Sequence, residues 1–228
     1  ALRAQGGSAV IEAALSGSSS LGPIFAFVKR VGLRLTMDAA GTRLGFRMPD
    51  GLALSIDAGP VSGGGFLYID EARGRYAGAL QLELQTISLT AIGLLDTRLP
   101  DGSPIPGLGF SLLVIICVEL PPIQLGFGFT LNGIGGLLGL NRTMDLAALR
   151  AGVRNRALEA MLFPPDPIRN ADAVVRTLTT VFPVAPDRFV VGPMVRLGWG
   201  TPSILTLDLA ILLELPEPIR LAILGRIK

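Results

Sequence analysis

Eighteen acidic side chains and one thiol are the groups with which this chain can do acid–base or nucleophilic chemistry, because it contains no histidine. Without imidazole, Ser-His-Asp and Cys-His arrangements and His-based metal sites are excluded. Glu119 and Glu214 stand out among the carboxylates, since each closes a very apolar segment just ahead of Leu120-Pro121 or Leu215-Pro216. Partial burial there would raise a carboxyl pKa and make a general acid. The competing reading, and the one expected, is a carboxylate at the wet end of a strand, where it discourages edge pairing. Asp57, Asp70 and Asp208 fall on the polar positions of alternating segments and are expected to be solvated.

Cys117 lies inside the apolar run Phe110–Val118. It is expected to be a small buried hydrophobe, because a reactive thiol needs an accessible, electropositive setting. A single cysteine forms no internal disulfide, and a cysteine-based zinc site needs several ligands. The run Gly133-Ile134-Gly135-Gly136-Leu137-Leu138-Gly139 misses the dinucleotide spacing, and no GxxxxGK[ST] is present. Its glycines are expected to serve turns or close backbone packing. No catalytic residue, metal ligand or cofactor is therefore expected. The chain reads as non-enzymatic, with carboxylate-only chemistry as the single enzymatic alternative.

Composition points the same way. Half of the 228 residues are hydrophobic and 17% are charged, which suits a folded chain and not a disordered one. The net charge is +2, and Lys29 and Lys228 are the only lysines. The arginines are scattered and aromatic residues make up 6%, so nucleic-acid binding is not expected. Leu120–Asn141 carries no charge and is long enough to span a bilayer as a helix. Pro121-Pro122 and six glycines break it, and Leu125, Phe127, Phe129 and Leu131 alternate with Gln124, Gly126, Gly128 and Thr130, which is a strand period. No transmembrane helix is expected, and no signal-peptide pattern follows Ala1. The cellular address is left open.

The elements that must position these residues are mostly strands. Leu33, Leu35 and Met37 alternate with Arg34, Thr36 and Asp38, and Leu44, Phe46 and Met48 alternate with Arg43, Gly45 and Arg47. Pro49-Asp50-Gly51 then predicts an antiparallel hairpin into Leu52, Leu54 and Ile56. Leu80, Leu82 and Leu84 oppose Gln81, Glu83 and Gln85, after which the phase flips at Ile87 and Leu89, predicting a bulge or bend near Thr86. Phe110–Val118 is apolar on both faces and predicts a central strand covered on both sides. Val195, Leu197 and Trp199, then the row Leu205, Leu207, Leu209, Ile211, Leu213 and Leu215, then Ile219, Leu221 and Ile223, predict an antiparallel meander. Helical spacing appears over Asp145–Ala151, Val153–Leu162 and a segment carrying Val174, Val175, Leu178 and Val181, which Asn170 or Asp172 can cap. Ser8–Leu15 reads as a short helix, followed by a flexible linker at Ser16–Ser20.

The expected fold is thus mainly β (α+β): a curved antiparallel sheet of amphipathic strands, covered in part by two or three helices around residues 145–181. Residues 1–20 form a helix and linker, and residues 21–228 form one β-rich domain with a helical insertion at 143–182. Gly59-Pro60-Val61 and Gly192-Pro193-Met194 echo one another as entries to long strands, too thinly for a repeat architecture.

Phe189-Val190-Val191-Gly192-Pro193-Met194-Val195-Arg196-Leu197-Gly198-Trp199-Gly200-Thr201-Pro202, with Gly59–Phe66 and the glycine run Gly126–Arg142, resembles a family catalogued only as a domain of unknown function, found in very large bacterial and fungal proteins. The Gly-Trp-Gly segment is its most specific piece. The resemblance implies no established activity and no catalytic residues. It implies that the chain is a piece of a longer protein.

The expected function is a module whose continuous apolar sheet face binds or conducts lipid or another greasy ligand. Leu80, Leu82, Leu84, Phe127, Phe129, Trp199, Leu207, Leu209 and Ile211 are its candidate lining residues. The alternatives are a self-associating scaffold, shell or filament module, in which long strands invite edge pairing, and a membrane β-barrel or pore. The expected partners are an apolar ligand, further copies of the chain, or the remainder of a longer one.

Overall fold

The computed structural model describes residues 2–5, 8–39, 41–154, 161–164, 166–200 and 202–228. Thirteen strands among these residues form a single sheet: β1 (Leu2–Gln5), β2 (Ser8–Leu21), β3 (Ile24–Asp38), β4 (Gly41–Arg47), β5 (Gly51–Asp57), β6 (Val61–Asp70), β7 (Arg75–Leu84), β8 (Ile87–Asp96), β9 (Ser111–Gly126), β10 (Phe129–Arg142), β11 (Val184–Trp199), β12 (Leu205–Leu215) and β13 (Arg220–Ile227). Each strand pairs antiparallel with its chain neighbours from β5 to β13, a meander that alternating segments with short connections dictate. Between β10 and β11 the chain leaves the sheet to form α1 (Leu146–Arg154) and α2 (Ala171–Val181). The mainly β architecture with helices near 145–181 is as expected. The helix expected over Val153–Leu162 falls largely on residues 155–160, which lie outside the described residues.

The core lies between the helices and one face of the sheet. Ala77 and Ala79 of β7, Ile92 and Leu94 of β8, Leu113 and Ile115 of β9, Leu137 of β10 and Leu212 of β12 meet Leu149 of α1 and Val174, Leu178 and Val181 of α2. Leu146 and Leu149 stand three residues apart on α1, and Val174, Leu178 and Val181 follow helical spacing on α2, so each helix turns one apolar stripe to the sheet. Asn170 occupies the N-cap position of α2 without a side-chain capping bond.

Several local expectations are corrected. Ser8–Leu15 is not helical, and Ser16–Ser20 is not a linker: both belong to β2, which pairs along its length with β3. The backbone hydrogen bonds of a long partner strand override the weak helical spacing of Val10, Ile11, Ala14 and Leu15. Pro49-Asp50-Gly51 does not close a hairpin. β4 and β5 lie end to end along β3, β4 facing Gly32–Asp38 and β5 facing Ile24–Lys29. The break between them sits opposite Arg30, whose φ of 58° interrupts β3. Pro49 has no N–H to give a ladder, while Asp50 N–H donates to Lys29 O at 2.8 Å and the Asp50 carboxylate holds Arg47 and Arg30.

The phase flip near Thr86 is not a bulge within one strand. Gln85 and Thr86 form the two-residue turn between β7 and β8, with Leu84 paired to Ile87 and Gln85 at a φ of 56°. A tight antiparallel turn returns the chain beside itself, so side chains at paired positions keep a common face while the sequence phase shifts. The Gly-Pro echo is also not structural: Gly59-Pro60 precedes β6, whereas Gly192-Pro193 lies inside β11.

Candidate functional site

Register decides which side chains share a face, because paired residues point the same way. Across β7 to β10, Ala79, Ile92, Ile115 and Leu137 form one row, and Leu80, Ala91, Ile116 and Gly136 form the next. The first row is buried beneath the helices, whereas Leu80 and Ile116 in the second are 38% and 46% exposed. The helices therefore cover one face alone. This corrects the expectation that Phe110–Val118 is covered on both sides, since the Leu112, Val114 and Ile116 face has no element over it among the described residues.

The distribution of charge between the faces is the reverse of what alternation suggested. Arg75, Asp96, Arg196, Asp208, Glu214 and Arg226 all lie on the helix side. Followed from Ile24 of β3 to Ile227 of β13, the opposite face carries no charged side chain at the paired positions of the described residues, and Tyr76 supplies its one hydroxyl. The row from Leu205 to Leu215 on β12 faces this open side, while Asp208, Ala210, Leu212 and Glu214 turn toward the helices and are buried.

The buried ions fasten the helical insertion to the sheet. Arg142 is fully buried; it donates to Phe182 O at 2.9 Å and pairs with Asp96, which also accepts from Arg75 Nε at 2.7 Å. Burial lowers the Arg142 pKa against the pull of Asp96. Glu214 is not at a wet strand end. It is fully buried and accepts from Thr143 Oγ1 at 2.7 Å and Met144 N–H at 2.9 Å, with Arg188 Nε at 3.2 Å. Asp208, expected to be solvated, is fully buried between Arg196 (Nε at 2.6 Å) and Arg226 (Nε at 3.2 Å). Burial pushes its carboxyl pKa up, but the two guanidinium groups outweigh that and hold it below the ordinary value. Arg226 also donates to Leu162 O at 2.8 Å, and the Arg196 guanidinium stacks on the Phe163 ring at 4.4 Å.

Of the groups singled out for acid–base or thiol chemistry, Glu214 and Cys117 sit in packing roles, while Glu119 is half-exposed and lies within β9, not at a strand end. Glu119 pairs with Arg196 at 2.8 Å. Cys117 is buried, and loss of solvation pushes its thiol up to about 11, so it stays protonated at neutral pH.

Two hollows interrupt the open face. The larger, about 740 Å³, spans β3 to β9 and is walled by Leu52, Leu54, Leu67, Leu80, Leu95, Leu112 and Val114. The smaller, about 380 Å³, lies at the far end between Phe129, Leu197, Trp199, Leu205, Leu207 and Ile227. Of the residues the sequence nominated, Leu80 lines the first hollow and Phe129, Trp199 and Leu207 line the second. Leu82, Leu84, Leu209 and Ile211 occupy the same face beside them. Phe127 does neither. It stands at the tip of the β9–β10 hairpin with a φ of 52°, between Gly126 and Gly128, and is 99% exposed. Alternation was carried through a turn there. The walls supplied by Leu52, Leu54, Leu67, Leu95 and Leu112 were missed, although Leu52 and Leu54 carry the same alternation that nominated Leu80.

A family model matches residues 2–228, taking in both hollows and the insertion. The chain belongs to DUF6603, a family of unknown function. No curated protein and no solved structure matches it. The DUF6603 match embraces β1 to β13 without a break, so the uncovered face lies wholly inside the family's unit. No helix among the described residues is long and apolar enough to cross a membrane, which says nothing of crossing by strands.

Proposed function

We propose that this protein is a non-enzymatic module whose open sheet face binds or conducts lipid or another apolar ligand. The observation that carries this reading is the division of the faces, with ionic side chains under the helices and hydrocarbon on the uncovered side. Contiguous apolar patches larger than a few hundred Å² are rare on soluble surfaces and mark interaction sites. Each leucine fully moved from water into hydrocarbon contributes about 1.5–3 kcal/mol, so such a face gains strongly from a covering. The insertion is held to the other side by the clamps at Thr143, Met144, Leu162 and Phe182. The two hollows, about 740 and 380 Å³, fall within the roughly 300–1,000 Å³ usual for small-molecule sites. Organic extraction and mass spectrometry of the purified protein test the reading. Stoichiometric lipid is the expected result, and a protein that carries none and takes up none from vesicles would remove the idea.

A self-associating module is the second reading, favoured by the outer strand. β13 ends the strand order, and Leu221, Ile223 and Ile227 along it are exposed. An edge strand with free backbone groups and apolar side chains invites another chain. Light scattering over a range of concentrations separates the two, since a monomer at every concentration eliminates self-association and leaves lipid binding standing.

A further inference from the structure

The larger hollow has a floor built without long side chains. Gly65, Gly78 and Gly93 stand at open-face positions on β6, β7 and β8, with Ala91 two residues before Gly93. Two of these glycines are forced by packing: a Cβ at Gly65 would meet Ala79 O at 2.7 Å, and one at Gly78 would meet Phe66 O at 2.8 Å. Gly93 is different. A Cβ there meets nothing within 4 Å. No neighbour requires glycine at this position, although glycine in a strand interior weakens the strand. What its missing side chain leaves is space in the hollow.

Resting on the reading of the open face as a lipid-binding surface, we infer that this hollow seats one long acyl chain and that Gly93 sets the depth available to it. The lining chooses the occupant. It offers no charge and, Tyr76 apart, no side-chain hydrogen-bonding group, so its complement is uncharged hydrocarbon along its whole length. A peptide laid across it would bury unpaired N–H and C=O groups at about 1–3 kcal/mol each. An acyl chain has no such defect: it carries no polar group in its tail and bends to follow the floor. Its head group stays in water at the rim.

Titration with cis-parinaric acid, whose polyene brightens in apolar surroundings, tests the assignment on the whole chain. Three variants accompany the wild type: Gly93→Phe, Gly93→Val, and Ile223→Phe, which places the same aromatic side chain far along the same face. The expected result is binding by the wild type, weakened about tenfold or more in Gly93→Phe, which corresponds to about 1.4 kcal/mol. A smaller loss in Gly93→Val and wild-type affinity in Ile223→Phe complete the expectation. Circular dichroism melts report folding, and Gly93→Val, which adds a β-branched side chain into open space, serves should Gly93→Phe lose its fold. If the wild type binds and both Gly93 variants bind equally well, the seat is elsewhere and this inference falls while the lipid reading survives. If the wild type binds no acyl probe, both fall together.

Discussion

Asp208 shows at the residue scale how this sheet treats its charges. Its buried carboxylate lies between Arg196 and Arg226, with the Lys228 ammonium 3.7 Å away. Removing its charge leaves the two guanidinium groups facing one another without the carboxylate between them, and only the half-exposed Glu119 still pairs with Arg196. Asp208→Asn is expected to lower stability by about 3–5 kcal/mol, the usual range for one broken partner of a buried pair, as read from urea unfolding at neutral pH. The pH dependence has a definite sign. The carboxyl is held below its ordinary 3.8 in the folded state, so its contribution is complete above that value and disappears as pH falls through the depressed pKa. Acid unfolding of the wild type below about pH 4 is therefore expected to be steeper than that of the Asp208→Asn variant. A parallel acid limb in the two proteins would contradict this.

At the scale of elements, the β7–β8 hairpin makes a clean prediction. Gln85 adopts a φ of 56° in a two-residue turn, a conformation that costs an L side chain roughly 1–2 kcal/mol. Gln85→Gly is expected to raise stability by about 1 kcal/mol in chemical denaturation, and a loss would mean that Gln85 is not held in that conformation. The same hairpin explains what was legible in the sequence and what was not. Alternation at Leu80, Leu82 and Leu84, and along Leu205 to Leu215, correctly identified strands, because a period of two survives whatever the strand packs against. It could not say which face the helices would cover. For β12 the natural guess places the leucine row in the core; instead Asp208 and Glu214 are buried, because each gains arginine and backbone partners from residues distant in sequence. Glu214 meets Thr143 and Met144, about seventy positions earlier. Pro49-Asp50-Gly51 failed for a related reason. A turn motif reports a local bend, whereas the pairing of β4 and β5 was decided by the length of β3, which has room for both. The candidate lining was legible wherever alternation was strong and failed at Phe127, where a strand pattern ran on through a glycine-flanked turn.

For the molecule as a whole, the sheet inverts the usual relation between burial and polarity. The buried ions are locked on the helix side, and an apolar face extends uncovered across the strands from β3 to β13. A photoactivatable fatty acid, cross-linked to the protein and located residue by residue with tandem mass spectrometry, reads that inversion directly because sequence neighbours on a strand point to opposite sides. Adducts are expected at Leu80, Leu95 and Leu112, and around Trp199, with Ala79, Leu94 and Leu113 unlabelled. Labelling that ignores this alternation, or that gathers on the helical side, would contradict the account.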